Sequence, residues 1–298
     1  MNTNNTPIIK LAILISYDYA YIYQSLPLLY EAADEITIAV DKDRITWSGS
    51  RFAFDEDIFS WINSIDHKGK IKIYEDHFYN PALTTMQSET RERTMIAEFM
   101  GSGGWHIQID ADEYFPEFGQ FAQYLKQNGK LAEQTNNDPV DIYLFWITLY
   151  KQTPNGFIYI KNSAESFPVA TNKPQYTVAR QTGSRPHYVN FGVFHQSWAR
   201  TPEEIETKIN NWGHSADFNV ADYFTFWKNV SESNYQTLKN IHPVTPKTWK
   251  KLGFIAAANL DEFIASYLRK YKLRLSWCTF RKFKKQERRI KRKLSKKK

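Results

Sequence analysis

Apolar and amphipathic segments alternate from residue 8 to residue 109, and their lengths predict a regular succession of strands and helices. Such an alternation favours a parallel sheet in an α/β domain. Helices with apolar positions three or four residues apart, such as Ile62 and Ile65, can bury one face against that sheet. The predicted strands are Ile8–Ser16, Ile36–Val40, Ile71–Tyr74 and Trp105–Ile109, and the predicted helices are Tyr23–Ala33, Asp55–Ile65 and Met86–Met100.

The pattern changes after Pro139, where strand-like runs follow one another with turns between them. Runs of this kind predict antiparallel strands. No Gly-, Ser- or Pro-rich linker separates the two patterns, so we expect one domain over residues 1–268, with halves 1–120 and 121–268, and a tail over 269–298. The predicted strands are Ile142–Tyr150, Phe157–Ile160, Tyr176–Arg180 and Tyr188–Phe194, and the predicted helices are Pro202–Trp212 and Asp217–Val230.

The positive charge of the chain is concentrated in its C-terminal tail. The net charge is +7, but residues 269–298 contain 16 Lys or Arg and one acid, Glu287, so the remaining residues carry a net charge of −8. Aromatic and aliphatic residues lie between these cations, as in segments that bind an anionic lipid surface, where each cation contributes about 1 kcal/mol. A solvated terminus is the alternative. Nucleic acid is not an expected partner, because the body has no basic face or recognised reading motif.

The composition restricts the class of protein. The chain is 42% hydrophobic and 24% charged, as in globular proteins. Its single cysteine, Cys278, excludes an intrachain disulfide and favours a reducing compartment. No apolar run approaches the roughly 20 residues of a membrane-spanning helix, and the N-terminus lacks the pattern of a signal peptide. We therefore expect a cytoplasmic protein, either soluble or peripheral on the inner face of the cell membrane.

The segment GWHIQIDADEYFPE combines an apolar strand with three carboxylates, Asp110, Asp112 and Glu113. In open parallel sheets, ligands bind beyond the carboxyl ends of the strands. Carboxylates crowded there need a cation or a basic group to compensate their repulsion and lost hydration. Because alternate residues of an extended segment face the same way, Asp110 and Asp112 are predicted to bind one Mg²⁺ or Mn²⁺. A charged turn or a first helical turn is the alternative, since acids are favoured there as well.

Two segments place this D-x-D strand in a larger pattern. LAILISYDYAYIYQSLPLLYEAADEITIAVD, Leu11–Asp41, contains a strand, a helix and a second strand ending in an acid. TRERTMIAEFMGSGGWHIQIDADE, Thr90–Glu113, contains a helix that begins near an arginine, a small-residue turn and the D-x-D strand. Over roughly the first 120 residues the chain resembles family 2-type glycosyltransferases, nucleotide-sugar enzymes of the GT-A fold. Phe194–His214 more loosely resembles bacterial members that build surface polysaccharides.

The resemblance implies an α/β fold, with a GT-A-like mixed central sheet flanked by helices and a helical C-terminal extension before the basic tail. Two segments depart from the family. Asp18-Tyr19 stands where an Asn-Glu or Asp-Glu pair is common, and Lys42–Ser50 replaces a Gly-Ser-Thr-Asp turn. The residues that match nucleotide-sugar-binding positions are Ser16, Tyr17, Asp41, Arg91 (with Arg93 as an alternative) and Asp110.

The implied reaction moves a sugar from a nucleoside diphosphate donor to a glycan or lipid-linked acceptor in surface polysaccharide synthesis. A divalent ion on Asp110 and Asp112 would neutralise charge developing on the leaving diphosphate. The resemblance suggests His195 as a third ligand, and a hydrogen-bonded core histidine is the alternative. The acceptor hydroxyl must lose a proton. The candidate bases are Glu165 and Asp217, with Glu113 also possible.

Two other classes of function remain open. A haloacid dehalogenase-type phosphohydrolase also ends a strand in D-x-D, with the first Asp as nucleophile. Such enzymes usually place Thr or Val after the second Asp, where this chain has Glu113-Tyr114. A basic-tailed membrane- or nucleic-acid-binding protein without catalytic activity is the third class. The aromatic residues include candidates for stacking on acceptor sugars, although core packing accounts for most such residues. These candidates are Trp146, Trp198 and Trp212.

Overall fold

The computed structural model describes residues 6–133, 135, 138–161, 163, 165–211, 217–271 and 277–295, and the chain divides into two compact units. Unit 1 comprises Met1–Leu144, Phe167–Val189 and Phe280–Lys298, and unit 2 comprises Phe145–Ser166 and Asn190–Thr279. Because the chain passes from one unit to the other more than once, the units differ from the two consecutive halves expected from the sequence.

The described residues contain ten strands and nine α-helices. The strands are β1 (Ile9–Leu14), β2 (Glu35–Asp41), β3 (Ile71–Asp76), β4 (Trp105–Asp110), β5 (Glu113–Tyr114), β6 (Val140–Thr153), β7 (Gly156–Ile160), β8 (Ser166–Thr171), β9 (Arg185–His195) and β10 (Leu252–Ala256). The helices are α1 (Ile22–Tyr30), α2 (Asp57–Ile65), α3 (Thr85–Met100), α4 (Phe118–Gln127), α5 (Gly129–Glu133), α6 (Pro202–Asn211), α7 (Val220–Asn229), α8 (Leu260–Tyr271) and α9 (Trp277–Ser295).

Unit 1 is built on a mixed sheet. Four parallel strands lie in the order β3-β2-β1-β4, and β8 is antiparallel to β4. β1 is buried at all six positions and β4 at its first five, as expected for strands covered on both faces. This arrangement confirms the predicted α/β class with a mixed central sheet flanked by helices, and it is consistent with the GT-A-like fold that the resemblance implies.

A buried lysine and a glycine turn position β4 beside β1. Lys10 donates from Nζ to the carbonyl oxygens of Met100, Gly101 and Ser102 at 2.8–3.0 Å, so it satisfies carbonyls at the C-terminus of α3. Gly104 has φ +76°, and a Cβ atom there would lie 2.6 Å from the carbonyl oxygen of Ile8. A glycine is therefore required where the chain enters β4.

Unit 2 contains antiparallel strands around an aromatic core. β7 pairs with β6 on one side and with β10 on the other. The core includes Tyr150, Trp198, Trp227 and Trp249, and the indole nitrogen of Trp227 donates to the Tyr150 carbonyl at 3.1 Å. Because Trp198 is only 2% exposed, its predicted place in an acceptor groove is wrong, and it serves core packing instead.

Residues 277–295 of the basic tail form helix α9, and its one acid, Glu287, bonds the helix to the rest of unit 1. Glu287 accepts hydrogen bonds from His187 (3.1 Å), from the Tyr188 backbone nitrogen (3.2 Å) and from Lys284 (2.6 Å). Burial alone would raise the pKa of Glu287, but the hydrogen bonds from His187 and Lys284 outweigh it and lower the pKa to about 2.

The ring of Phe283 packs against Tyr188 at 5.0 Å between centroids. An aromatic side chain of α9 therefore contacts protein, while several cations of the helix are exposed. Any binding to an anionic membrane surface through this helix, which remains a prediction, would be mainly electrostatic. Among the described residues, no helix has the length and apolar content that crossing a membrane requires. The exposed cations are Arg281, Lys282, Lys285, Arg288 and Arg289.

Several segments differ from the predicted secondary structure, which did not include β5, β8, β10, α4 or α5. Tyr176–Arg180 was predicted as a strand, and this is wrong: Val178 and Gln181 form an isolated bridge around Ala179, whose φ is +46°. The tight turn removes the segment from the sheet. β8 was missed, because its short run SFPVAT contains a proline. Trp212 and His214 lie outside the described residues.

We predict that Glu287→Gln weakens the attachment of α9 by about 1–3 kcal/mol, because neutralising the carboxylate weakens several charge-assisted hydrogen bonds. Amide hydrogen exchange in α9 should rise, and the difference from the wild type should shrink as the pH falls below the ordinary glutamate pKa toward 2, where the native carboxylate also becomes protonated. Glu98→Gln, at an exposed position of α3, is the matched control. Unchanged exchange in Glu287→Gln would contradict this anchoring role.

Candidate functional site

The carboxyl ends of three parallel strands bring the predicted site residues of unit 1 to one edge of the sheet. Leu14, at the end of β1, is in register with Ala39 of β2 and with Asp110 of β4. Ser16 follows β1, and Asp41 and Asp110 end β2 and β4. This edge is where open α/β sheets bind ligands. Ser16 is half-buried and its carbonyl accepts the Tyr19 backbone nitrogen at 3.0 Å, which turns the chain toward α1.

Two arginines meet the carboxylates of the D-x-D segment. Arg93 of α3 approaches Asp110 at 3.1 Å through Nη2. Arg180 approaches Asp110 at 2.5 Å and holds Glu113 with two hydrogen bonds of 2.8 and 3.0 Å. Glu113 also accepts the Asp110 backbone nitrogen at 3.1 Å. Glu113 is fully buried and Arg93 is 1% exposed, whereas 29% of the Asp110 side chain is exposed. We call this cluster, Arg93–Asp110–Glu113–Arg180, the arginine network.

The charges in this network stabilise one another. Burial opposes ionisation of Asp110, but Arg180 and Arg93 lower its pKa, whereas Asp112 acts in the opposite direction. For Arg180, burial favours the neutral form, and the carboxylates of Asp110 and Glu113 more than compensate and raise its pKa. Both arginines and Asp110 therefore stay charged over the physiological pH range.

The carboxylate of Asp110 is paired with arginines at this edge. Both oxygens of the Asp110 carboxylate face guanidinium groups, and Asp112 is buried at 3% exposure. Among the described residues, no three His, Cys, Asp or Glu side chains are placed to hold a metal ion. The compensating charge at Asp110 comes from arginine, and metal binding by Asp110, Asp112 and His195 stays a prediction.

The side chain of Asp41 accepts hydrogen bonds from the backbone of two loops. One carboxylate oxygen accepts the backbone nitrogens of Asp43 and Ile45 at 3.0 Å each. The other accepts those of Phe78 and Tyr79 at 2.9 and 3.2 Å. These four donors use both oxygens of the side chain. Asp41 therefore fixes the loops that follow β2 and β3, and its contact with a nucleotide stays a prediction.

The two candidate arginines have different partners. Arg91 donates to the carbonyl oxygens of His77 and Phe78 at 2.6 and 2.7 Å, so it supports the loop after β3. Arg93 lies on Asp110 and within 5.8 Å of the Trp47 ring. Of the two candidates predicted from the sequence, Arg93 and not Arg91 therefore contacts the D-x-D segment. Tyr17, next to the end of β1, is half-buried.

Sequence reasoning missed three residues at this edge: Arg180, Glu92 and Trp47. The indole nitrogen of Trp47 donates to the Glu92 carboxylate. Glu92 is fully buried beside Arg93, and burial raises its pKa to about 8 even though Trp47 and Arg93 lower it. The spacing of buried positions along α3 could have identified Glu92, because this residue lies four positions before Ile96 on the buried face of the helix. Arg180 gave no such signal, because its place depends on a turn that the pattern does not reveal.

In unit 2, two residues predicted for different roles lie close together. Glu165 accepts hydrogen bonds from the Trp249 indole and from Ser163, and its charged form is favoured by nearby His195. Burial is the largest influence and raises the pKa of Glu165. The His195 ring lies 5.0 Å from that of Trp146. A partly buried carboxylate with a raised pKa is suited to accept a proton.

Asp217, the other candidate base, precedes α7 and is exposed. The residues of unit 2 therefore favour Glu165 over Asp217 as the proton acceptor, and both roles stay predictions.

No family model and no curated protein matches this chain. Among solved structures, residues 1–349 of S. aureus TarS align with 76% of this chain and 68% of that one, at 10% identity and a TM-score of 0.34. Mannose-1-phosphate geranyltransferase from Thermus thermophilus aligns with 85% of this chain and 76% of that one, at 11% identity and a TM-score of 0.24. Both scores are too low to support an argument about function.

We predict that Arg180→Met destabilises the protein by about 3–5 kcal/mol, because it leaves the carboxylate of Glu113 buried without its partner. The double variant Arg180→Met/Glu113→Gln should be less destabilised than Arg180→Met alone, since the uncompensated charge is gone. Urea unfolding of both variants measures this difference, with Arg51→Met at an exposed position of unit 1 as control. Equal stability of the single and double variants would show that charge pairing does not hold this edge together.

We predict that the stability of the wild type falls relative to Glu92→Gln as the pH rises from about 5 to 8. The native pKa of Glu92 is about 8, against an ordinary value of 4.5. In this range the folded state holds a proton that the unfolded state has lost, so raising the pH favours unfolding until the native carboxylate also ionises. Chemical denaturation at pH 5.5 and pH 8.5 compares the two proteins. A constant difference between them would contradict the raised pKa.

Proposed function

We propose that this protein is a glycosyltransferase that moves a sugar from a nucleoside diphosphate donor to a glycan or lipid-linked acceptor. The observation that carries the proposal is the common edge at which β1, β2 and β4 end. Ser16 follows β1, and Asp41 and Asp110 end β2 and β4, which supports the roles that the resemblance implies for them. The sequence resemblance to family 2-type glycosyltransferases concerns the same segments. The order of the motifs along the chain and the parallel register of the strands therefore support the same proposal.

In this proposal, the residues at the edge of the sheet have different roles. Asp41 and Arg91 hold the loops after β2 and β3 through backbone hydrogen bonds, which would give the donor a rigid binding edge. The arginine network holds the D-x-D segment between α3 and the turn before β9. Such preorganisation favours a transition state, because no group has to reorient when charge develops on the leaving diphosphate.

An acceptor hydroxyl needs a proton acceptor, and of the two candidates in unit 2 we favour Glu165 for this role. Its raised pKa makes the carboxylate a stronger base than an exposed glutamate, while hydrogen bonds from Trp249 and Ser163 orient it. The predicted metal ion is not used in this assignment.

The phosphohydrolase alternative is less favoured by the same geometry. Its first Asp would have to act as a nucleophile, which requires an accessible carboxylate oxygen. The Asp110 side chain is 29% exposed, but both of its oxygens contact guanidinium groups, from Arg93 and Arg180. Ion pairing of this kind lowers the basicity of the carboxylate and therefore its nucleophilicity.

We predict that the purified protein turns over one class of nucleotide sugar and that Asp110→Asn lowers this turnover by about 100-fold or more, because an electrostatic contact at the reacting edge is lost. Release of nucleoside diphosphate from UDP-, GDP- and CDP-sugars measures it, with and without Mn²⁺ and with a chelator. Asp34→Asn, which changes a carboxylate bound to the first residue of β1 at the opposite end of the sheet, should stay within about twofold of the wild type.

Three results would count against this proposal or part of it. Absence of turnover with every donor contradicts the activity. Full turnover in a folded Asp110→Asn protein removes the edge from the mechanism. Turnover that needs Mn²⁺ and disappears in Asp112→Ala would restore the metal site predicted from the sequence.

A further inference from the structure

Unit 2 contains a cavity of about 380 Å³ that is lined by four lysines and no acidic residue. It lies beside β7, β10 and the end of α8. Among the described residues, no carboxylate forms an ion pair with any of these lysines. A concave surface with charge of one sign attracts counter-ions, and its low-dielectric walls strengthen that attraction. The lysines are Lys161, Lys239, Lys251 and Lys270.

Two of these lysines are placed side by side by strand pairing. Leu252 of β10 is in register with Ile160 of β7, and one position further the backbone nitrogen of Lys161 donates to the carbonyl of Lys251 at 2.9 Å. Like charges at opposed positions of antiparallel strands are destabilising. A bound anion would remove this repulsion, because it would place a negative charge between the two ammonium groups.

Tyrosines form a rigid polar wall of the same cavity. Tyr159 is buried, and its hydroxyl donates to that of Tyr271 at 2.9 Å. Gly253 makes room for this ring, because a Cβ atom there would lie 2.5 Å from Tyr159 Cζ. Lys270 lies 5.3 Å from the centre of the Tyr271 ring. With its oxygen already accepting from Tyr159, Tyr271 keeps its own proton to donate.

We propose that this cavity binds a phosphate-bearing ligand, with Lys161 and Lys251 on the phosphate oxygens and the Tyr271 hydroxyl as a further donor. The volume lies at the lower end of the range for ligand sites, which suits a phosphate or diphosphate group better than a large apolar molecule. Lysine ammonium groups bind phosphate as point charges and tolerate several orientations of it. The proposal does not depend on the glycosyltransferase activity, because binding alone tests it.

Titration calorimetry of the full chain with inorganic pyrophosphate is the first experiment. Lys161→Glu/Lys251→Glu should weaken binding by about tenfold or more, since two charge-assisted contacts are replaced by repulsion. Tyr271→Phe should weaken it by a smaller factor. Lys247→Glu, at an exposed lysine of unit 2 outside the cavity, is a control for position and should bind as the wild type does within about twofold.

Two results would overturn the proposal: no pyrophosphate binding by the folded wild type, or equal weakening by Lys161→Glu/Lys251→Glu and by an equally charged double variant outside the cavity. The exposed pair Lys247→Glu/Lys250→Glu provides that comparison. Circular dichroism of each variant separates loss of binding from loss of folding.

A second experiment distinguishes a soluble phosphate from a lipid headgroup. The protein is sedimented with vesicles of phosphatidylglycerol in phosphatidylcholine, in the presence and absence of pyrophosphate. Lipid binding that is lost in Lys161→Glu/Lys251→Glu and displaced by pyrophosphate identifies the headgroup as a ligand of the cavity. Lipid binding lost only in Lys285→Glu/Arg288→Glu is assigned to α9, and the cavity then serves a soluble phosphate if calorimetry shows binding.

Discussion

The buried arginine network at the end of β4 is the interaction on which the candidate site depends. Glu113 is fully buried, and a charge in that position is strongly destabilising unless it is paired and hydrogen-bonded. Arg180 supplies that pairing and also contacts Asp110, which Arg93 contacts from α3. A helix, a strand and a turn are thereby held at one point. The network compensates the negative charges of Asp110 and Glu113 with guanidinium groups.

Polar side chains at the edge of the sheet form hydrogen bonds with the backbone of the neighbouring loops. Buried backbone N–H and C=O groups need partners, and the loops after β2 and β3 lie where helices and strands cannot provide all of them. Asp41 accepts four backbone N–H groups, and Arg91 donates to two carbonyls. These contacts set the shape of the edge, so a nucleotide would meet loops that are already ordered.

Positive charge is clustered in a cavity of unit 2 and on helix α9. Outside the tail the chain carries a net charge of −8, yet one cavity of unit 2 is lined only by cations among its charged residues. In α9, Glu287 is buried while Arg288 and Arg289 are exposed. The one acid of the tail thus orients the helix, and its cations remain available to solvent or to an anionic surface. A slightly acidic body and local cationic surfaces favour selective electrostatic contacts over general ones.

The sequence by itself determined the order and type of the elements from β1 to β4, because hydrophobic periodicity and the glycine turn before β4 are local properties. It also located the residues at the carboxyl edge, since parallel strands end together. Only the tertiary structure decided the partners of those residues. Arg180 reaches Asp110 from a turn 70 positions away in the chain, and Lys161 meets Lys251 through strand pairing across unit 2. Contacts between charges distant in sequence leave no periodic signal, because they depend on how loops and strands pack.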